Sequence, residues 1–589
     1  MCGIAGIVSE NINFDFNQIE KFDKYLKRRG PDDKGVFKMC NCAFLHRRLS
    51  VIDTSRRGRQ PFFNESNTIM SVCNGEIYNY LNLREDIISK GHRLKSFSDN
   101  EILIHLYEEY GENFVDYIEG EFAIAIWDSS KKKLLIYRDR FGVKPIYYLF
   151  NSKTFYFSSD FTSLAAEFLS NKTLDIEALN HFIIFRYVPT PATLFQGIRK
   201  IPPGHYLKME NESIKLFKYY SLFYKTKKIN EASAIQRVRE KTSEAIQSRL
   251  MSDAPLGVFL SGGLDSSIIV SVMHNLGLKN IKTYSIGFKD EKNEISNEFE
   301  FSDTVAKQFN TDHKKIIISE KDFYNCFDEW LEAMGEPVGA PAAVPLFLLS
   351  KIASKEVKVI LNGQGADENF GGYDWYKTML EVFNYKKAPS QFLARYAGIQ
   401  ELEKNRLLRS NFKRVNASLK KVTEIFQSYK NLGQQDNLSA ICYIDFYLGL
   451  PEVGLKEVDA VTMNFGLEAR VPYLNYNLVE FACTLPENLK IKSNNEKYIL
   501  REAFKNSLPK EIINRKKLGF PVPVATWYKS KLGKMIRDVV LDKRSLNRNI
   551  FNREELRRFL NQEENSSDCS HNKTFRFLVL ELWLRRFLD

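Results

Sequence analysis

The 589-residue chain carries 85 lysines and arginines against 73 aspartates and glutamates, a formal charge of +12. Its length outgrows a single hydrophobic core and implies two or three domains. The composition is globular, with 44% apolar and 27% charged residues, and it holds no run of about 18 apolar residues that could span a membrane as a helix.

The basic clusters at 225–228, 413–414, 420–421 and 515–517 have no nucleic-acid-binding motif beside them. They read as solvated faces and as attraction for an anionic substrate rather than a nucleic-acid surface. The eight cysteines are widely scattered. With no CxxC pair and no His-rich segment, their spacing argues against zinc and against a disulfide framework. The N-terminus lacks the basic and apolar regions of a signal peptide, so a cytoplasmic location is expected.

In chain order, the first feature is Cys2. If the initiator Met1 is removed, one residue carries both a thiol and an α-amine, which titrate near pH ~8.5 and ~8. Residues 1 to about 205 are strand-rich. Short apolar or aromatic runs at 122–127, 134–137, 146–149 and 154–157 are bounded by turn residues, with helical patterns near 80–90 and 101–110. This predicts an α+β domain with packed antiparallel sheets between helices. The polar, lysine-rich stretch 206–232 is expected to be a linker. From 233 to 589, helix 235–250, strand 257–260, helix 267–276, strand 283–288, a helix near 299–309 and strand 315–318 alternate. Helices near 321–334 and 345–354 and strand 357–361 follow. This rhythm predicts a doubly wound parallel sheet with a helix-rich extension after about 375. Residues 561–573 read as a loop.

The most specific local signal is Ser261-Gly262-Gly263-Leu264-Asp265-Ser266-Ser267, between a predicted strand and a predicted helix. Glycines let backbone N–H groups approach an anion, and a helix N-terminus adds a favourable dipole. A carboxylate at Asp265 implies a bridging divalent metal, because it would otherwise repel phosphate. The Gly-Lys-Ser/Thr ending of a Walker A loop is missing. A second loop, Asn362 to Tyr373, follows strand 357–361. Both fall at the carboxyl ends of strands, where ligands bind in such sheets. Asp265 and Asp367 could then share Mg²⁺ on a triphosphate.

The 261–267 segment resembles the pyrophosphate loop of ATP pyrophosphatases, and Met1-Cys2-Gly3-Ile4 resembles the nucleophile of class II glutamine amidotransferases. The glutamine-hydrolysing asparagine synthetase family carries both in this order. Matching segments cover nearly the whole chain: Arg28–Asp32, His46–Asp53, Asn74–Asn79, Ser98–Glu101, Arg138–Gly142, Pro202–His205 and Glu468–Leu474. The resemblance implies that Cys2 attacks the glutamine side-chain amide and that the Asn74 amide and Gly75 N–H hold the oxyanion. Arg48 and Asp99 would clamp the glutamine ends, with backbone bonds near Val51 and Glu76. Ammonia would leave through an internal channel. ATP would lie along Phe259, Ile286, Asn362 and Gly363, with its phosphates on Ser261, Gly262, Gly263, Asp265, Ser266 and Ser267. Lys497 matches a lysine that stabilises charge on the intermediate; read alone, it is equally a solvated helical lysine. The implied cofactors are ATP and Mg²⁺, the partners are small-molecule substrates, and the resemblance leaves room for a homodimer.

Three departures bear on the acceptor. Gln364 stands where asparagine synthetases usually carry glutamate, and a glutamine cannot take up a proton; either Glu368 or another group substitutes, or ammonia arrives already neutral. The loop 336–344 lacks an arginine found in some members. The segment 515–523 resembles bacterial branches, some of which amidate other carboxylates. L-Aspartate is the default acceptor, with a uronic-acid sugar or a cell-wall precursor as the alternative. The intact nucleophile, glutamine site and phosphate loop argue against a non-catalytic homologue.

Overall fold

Short apolar strands dominate the first part of the chain because β-branched and aromatic residues alternate there between tight turns. In the computed structural model, which describes residues 2–11, 14–39, 41–211, 213–289, 299–433, 436–517, 522–564 and 572–589, these strands form two antiparallel sheets of six strands each. In spatial order, the first sheet runs Ile198–Lys200, Tyr147–Asn151, Thr154–Ser158, Cys2–Ser9, Cys42–Arg48 and Asp33–Met39. The second runs Ser213–Lys218, His205–Glu210, Lys133–Arg138, Gly120–Asp128, Ile69–Ile77 and Phe62–Phe63. Ile4, Phe44, Val72, Ala125, Trp127 and Ile136 fill the layer between them. The helices Tyr80–Ser89 and Ile102–Tyr110 lie where the periodicity places them.

The expected linker is shorter than 206–232. His205–Glu210 and Ser213–Lys218 form a hairpin on the edge of the second sheet, with Tyr206 opposite Tyr137. Leu207 and Met209 face inward while Lys208 lies between them. This two-residue alternation was hidden by the lysine content. Only 219–230 lacks regular structure, and even there Leu222 and Tyr224 are buried.

The second part forms a five-stranded parallel sheet in the order Asp312–Ile318, Lys282–Phe288, Leu256–Phe259, Val359–Leu361 and Glu468–Arg470. The chain winds outward from Leu256–Phe259 in one direction and then returns to add Val359–Leu361 on its other side. That reversal is a topological switch point, where such sheets leave a crevice. The three-residue strand Glu468–Arg470 lies within the helix-rich region expected after 375; it is too short to show a period of its own. The stretch expected as one helix near 321–334 is two, Glu320–Asn325 and Phe327–Met334. Of the expected loop 561–573, residues up to 564 continue the helix Arg553–Glu564, Asn572–Phe587 is helical, and 565–571 lie outside the described residues. The helical stretch Asn437–Met463 is apolar and long enough to cross a membrane by composition, but 83% of its most apolar window is buried inside the protein.

Candidate functional site

Two sites emerge, one at the open end of the paired antiparallel sheets and one at the switch point of the parallel sheet. At the first, Cys2 opens its strand directly opposite Arg48, the last residue of the neighbouring strand. The packing of the two sheets brings the end of Ile69–Ile77 beside it. The Cys2 backbone N–H donates to Asn74 Oδ1 at 3.0 Å. Asn74 is fully buried, and its Nδ2 has no hydrogen-bond partner among the described residues. A buried amide donor without an acceptor is costly, and such groups are retained where a ligand completes them. Burial pushes the Cys2 thiol above its ordinary value. Processing of Met1 lies outside the described residues.

Asp99 and Glu76 lie behind this pair. Asp99 accepts the Ile77 N–H at 2.8 Å and a bond from Asn100 Nδ2 at 3.1 Å. Burial raises its carboxyl to about 6. Glu76 is also pushed up, by burial and then by the negative charges of Glu468 and Asp99. Arg470 approaches it, with 3.7 Å between Nη2 and Glu76 Oε2. Asn100 Nδ2 also donates to the Gly75 carbonyl at 3.3 Å, fixing the peptide next to Asn74.

Two sequence-predicted residues make other contacts. Arg48 directs its guanidinium onto the carbonyls of Ser55 (2.7 Å), Ile52 (3.3 Å) and Asp53, so it shapes the 52–55 loop. The Val51 carbonyl accepts the Asp253 N–H at 2.9 Å. Arg29 is closer to the nucleophile than sequence reasoning placed it: its Nε donates to the Cys2 carbonyl at 3.3 Å. The signal was present in the Arg28–Asp32 motif, but nothing local assigns that motif a contact.

At the second site, a cavity of about 350 Å³ opens between the loops after Leu256–Phe259 and Val359–Leu361. Phe259, Ser261, Gly263, Asp265, Ser266, Ile286, Asn362, Gly363, Asp367 and Lys497 line it, as expected of a nucleotide crevice. Gly262 and Ser267 build the loop from behind. Gly262 has φ +69°, and a Cβ there would lie 2.5 Å from the Ser302 nitrogen, so only glycine fits. The Ser267 hydroxyl donates to the Gly263 carbonyl at 2.7 Å and is fully buried. The helix Leu264–Asn275 thus begins with its free N–H groups at the cavity.

The charges in the cavity are arranged as cations between carboxylates. Lys497 Nζ lies 2.6 Å from Asp265 Oδ2 and 2.7 Å from Asp367 Oδ1, and Lys517 Nζ lies 2.6 Å from Asp367 Oδ2. Burial pushes the Asp367 carboxyl up, but the two ammoniums more than reverse this and hold it at about 2. A Cβ on Gly372 would lie 2.0 Å from Asp367 Oδ1 and 2.1 Å from Lys497 Cε, so a bare backbone is required beside this pair. Lys497 is almost fully buried, which removes the reading of a solvated helical lysine. The cluster 515–517 is also not merely a solvated face. Arg515, Lys516 and Lys517 line the cavity, and Arg515 donates to the Ser261 carbonyl at 3.2 Å. Residues 518–521 of the segment 515–523 lie outside the described residues.

Two carboxyls near the second loop titrate far from their ordinary range. Glu368, raised to about 8 by burial and by the charges of Asp445 and Asp367, accepts the Tyr373 hydroxyl at 2.8 Å. Glu457 lines the cavity together with Gln364, and burial pushes it up to about 8. Glu457 was missed because no motif surrounds it; its place on the cavity wall follows only from the packing of the helix Lys456–Met463.

Known proteins resemble this chain in sequence over almost its entire length. A family model described as asparagine synthase matches residues 237–585, and one described as glutamine amidotransferase domain matches residues 1–220. The chain is 31% identical over 575 residues to asparagine synthetase [glutamine-hydrolyzing] 1 of Bacillus subtilis, covering 92% of this chain and 90% of that protein. It is 28% identical to asparagine synthetase [glutamine-hydrolyzing] 3 of the same organism, with 96% and 94% covered. It is 26% identical to amidase chyE of Penicillium rubens, with 92% and 91% covered. With both family models matched in order and a relative aligned nearly end to end, the chain belongs to the glutamine-hydrolysing asparagine synthetase family.

Proposed function

We propose that this chain takes the amide nitrogen of glutamine and transfers it, at the expense of ATP, to the side-chain carboxylate of aspartate. The observation that carries the first half is the Asn74 side chain, whose Oδ1 accepts the Cys2 N–H while its buried Nδ2 has no partner among the described residues. With Met1 removed, the Cys2 α-amine takes the thiol proton as sulfur attacks the glutamine amide carbon; collapse of the adduct breaks the C–N bond, the α-ammonium returns the proton to the departing ammonia, and water hydrolyses the thioester to glutamate. Asn74 Nδ2 and the Gly75 N–H receive the oxyanion, and Asp99 anchors the amino-acid end of the substrate, with Arg48 holding the 52–55 loop beside it. We divide the chain into a glutaminase half ending near Lys218 and a synthetase half starting near Glu231, with 219–230 between them.

In the second half, ATP occupies the switch-point cavity, with phosphates against the 261–267 loop and the N-terminus of Leu264–Asn275. The acceptor carboxylate attacks the α-phosphate to give an acyl-adenylate and pyrophosphate, and ammonia then displaces AMP. Asp265 and Asp367 supply the hard oxygen donors that suit Mg²⁺, and both already converge on one positive charge, the Lys497 ammonium. They would hold the ion, which neutralises phosphate charge when bound. Lys497 and Lys517 line the same cavity, where their ammoniums would face the phosphates and the leaving group.

The test is pyrophosphate release by the purified protein with glutamine, ATP and either aspartate or a panel of other carboxylates. Aspartate-dependent release with stoichiometric asparagine is expected. Release stimulated only by a sugar acid or another carboxylate would replace aspartate as the acceptor. The position that bears on that choice is Gln364, which lines the cavity where the resemblance implies a glutamate.

A further inference from the structure

We propose that the glutaminase half carries a structural zinc site built from Glu65, His92, His105 and Glu108. These residues come from three separate pieces of chain: the turn before Ile69–Ile77, the loop after Tyr80–Ser89, and the helix Ile102–Tyr110. On that helix, His105 and Glu108 are spaced to lie on one face. The spacing in sequence, Glu65, His92, then His-x-x-Glu, has no zinc signature, which is why cysteine counting argued against the metal.

The four side chains converge closely enough to share one ion. One donor atom from each residue can be chosen so that all four lie within 4.8 Å of one another. His105 Nδ1 is 3.2 Å from Glu108 Oε2 and 3.7 Å from Glu65 Oε2. His92 Nδ1 is 3.7 Å from Glu108 Oε2 and 3.8 Å from Glu65 Oε1. A tetrahedral zinc with ligand bonds of about 2.0–2.2 Å sets its donors about 3.3–3.6 Å apart. The His–Glu separations of 3.2 to 3.8 Å, with Glu65 offering one oxygen to each imidazole, lie around that value. Two imidazoles and two carboxylates form a donor set suited to zinc, whereas magnesium or calcium prefers oxygen alone.

The surroundings fit a ligand cluster better than an ordinary ion pair. The second ring nitrogen of His92, Nε2, lies 3.0 Å from Glu109 Oε1, the carboxylate–histidine arrangement that orients metal-bound imidazoles. Asn64 Nδ2 donates to Glu108 Oε1 at 2.8 Å, and the Arg93 N–H donates to Glu65 Oε1 at 2.9 Å. The His92 and His105 rings lie 4.7 Å apart at their centroids, a close approach for two groups that protonation would make repel. His105 is buried while Glu65 is well exposed, so the cage is anchored on the protein and open to solvent on one side.

An ion here would tie the start of the 92–101 loop to the helix behind it. Further along, Glu101 takes the N–H groups of Lys95 (2.6 Å) and Ser96 (2.7 Å), and Asp53 takes that of Phe97 (2.9 Å). The same loop presents Asp99. Zinc would therefore stiffen the element that positions Asp99, without touching the nucleophile.

The test uses the full-length protein, stripped with a chelator, dialysed against Zn²⁺ or Co²⁺, and analysed for bound metal. About one zinc per chain is expected, together with a cobalt spectrum of tetrahedral type that lacks a thiolate charge-transfer band. Hydrogen exchange of residues 90–100 should slow when zinc is restored. His92→Ala and Glu65→Gln change partly exposed side chains, and each should weaken zinc binding by at least about 10–100-fold, the loss caused even by an outer-shell substitution. His105→Ala serves as a third variant, read only if its circular dichroism matches the parent. Zinc uptake that is absent in the parent protein, unchanged in His92→Ala and Glu65→Gln, or accompanied by a thiolate band would overturn the proposal.

Discussion

Arg29 Nη2 lies 2.9 Å from Asp459 Oδ2, with both residues buried, and the Nε of the same guanidinium holds the Cys2 carbonyl. Asp459 sits two residues after Glu457 on the helix Lys456–Met463, which forms part of the nucleotide cavity wall. One ion pair thus joins the backbone of the nucleophile to the wall of the other site. Asp459→Asn leaves the Arg29 charge buried and unpaired, so it should destabilise the protein by about 3 kcal/mol, read from the denaturant midpoint. It should also loosen the match between sites, raising glutamate formed per pyrophosphate above one. An unchanged midpoint and ratio would show that the pair transmits nothing.

Asn74→Ala removes the only side-chain donor assigned to the oxyanion. Glutamine-dependent turnover should fall about 10²–10³-fold. Ammonia-dependent turnover should stay near the parent value, because the second cavity is untouched. Cys2→Ala should abolish glutamine use altogether while leaving ammonia use intact. Equal loss with both nitrogen sources would instead point to a folding defect.

The fold was legible where periodicity and turn residues agree. The strands around 122–157 and the alternation from 257 to 361 were placed within a few residues. It was less legible where a short element depends on its neighbours. Glu468–Arg470 is a strand only because Val359–Leu361 offers it a parallel edge, and the 205–218 hairpin is stabilised by burying Leu207 and Met209 beneath a lysine-rich surface. Asn74 and Asp99 were singled out through the family resemblance, and Asp265 and Asp367 through their strand-to-loop context; the structure puts Asn74 beside Cys2 and both aspartates on one cavity wall. Glu457, Lys517 and the Glu65–His92–His105–Glu108 cluster were not readable, because their partners are supplied by distant segments.

Asp99 supplies a pH signature for the glutamine site. Burial raises its carboxyl from about 3.8 to about 6, so the charged form is lost as pH falls through 6. The kcat/KM for glutamine should then drop roughly tenfold between pH 7 and pH 5, mainly through KM. The stability effect has the opposite sign. A raised carboxyl favours folding most below pH 3.8, and that contribution is lost as pH rises through 6. Asp99→Asn should therefore bind glutamine poorly but melt higher than the parent above pH 6. A variant that melts at the same temperature at pH 7.5 would refute the linkage.

Lys497 links Asp265 to Asp367, and its left-handed backbone, φ +52°, aims the side chain into the cavity. Lys497→Met removes a cation that faces the developing phosphate charge. Aspartate-dependent pyrophosphate formation should fall about 10²–10³-fold, by the reasoning that applies to any preorganised charge at a reacting centre. Glutaminase activity measured without ATP should be unaffected. The variant should also bind Mg²⁺ more tightly in the absence of nucleotide, because Asp265 loses its ammonium partner and Asp367 keeps only Lys517; calorimetry would detect this.

Glu457 answers the difficulty posed by Gln364. Amide formation from an acyl-adenylate requires a group that accepts a proton from the attacking nitrogen, and a glutamine side chain has no such capacity. Glu457 shares the cavity wall with Gln364, is buried, and has an Oε1 without a hydrogen-bond partner among the described residues. Burial raises it to about 8, so near neutrality it passes readily between acid and carboxylate. Amide formation should rise with pH through about 8 as the carboxylate form appears, whereas ATP–pyrophosphate exchange, which precedes nitrogen attack, should not follow this titration. Glu457→Gln should lower amide formation about 10²–10⁴-fold and flatten its pH profile while exchange continues. Gln364→Glu in that background should restore part of the rate by returning a carboxylate to the second loop. Exchange and amide formation falling together, or a pH profile unchanged by Glu457→Gln, would remove Glu457 as the proton acceptor.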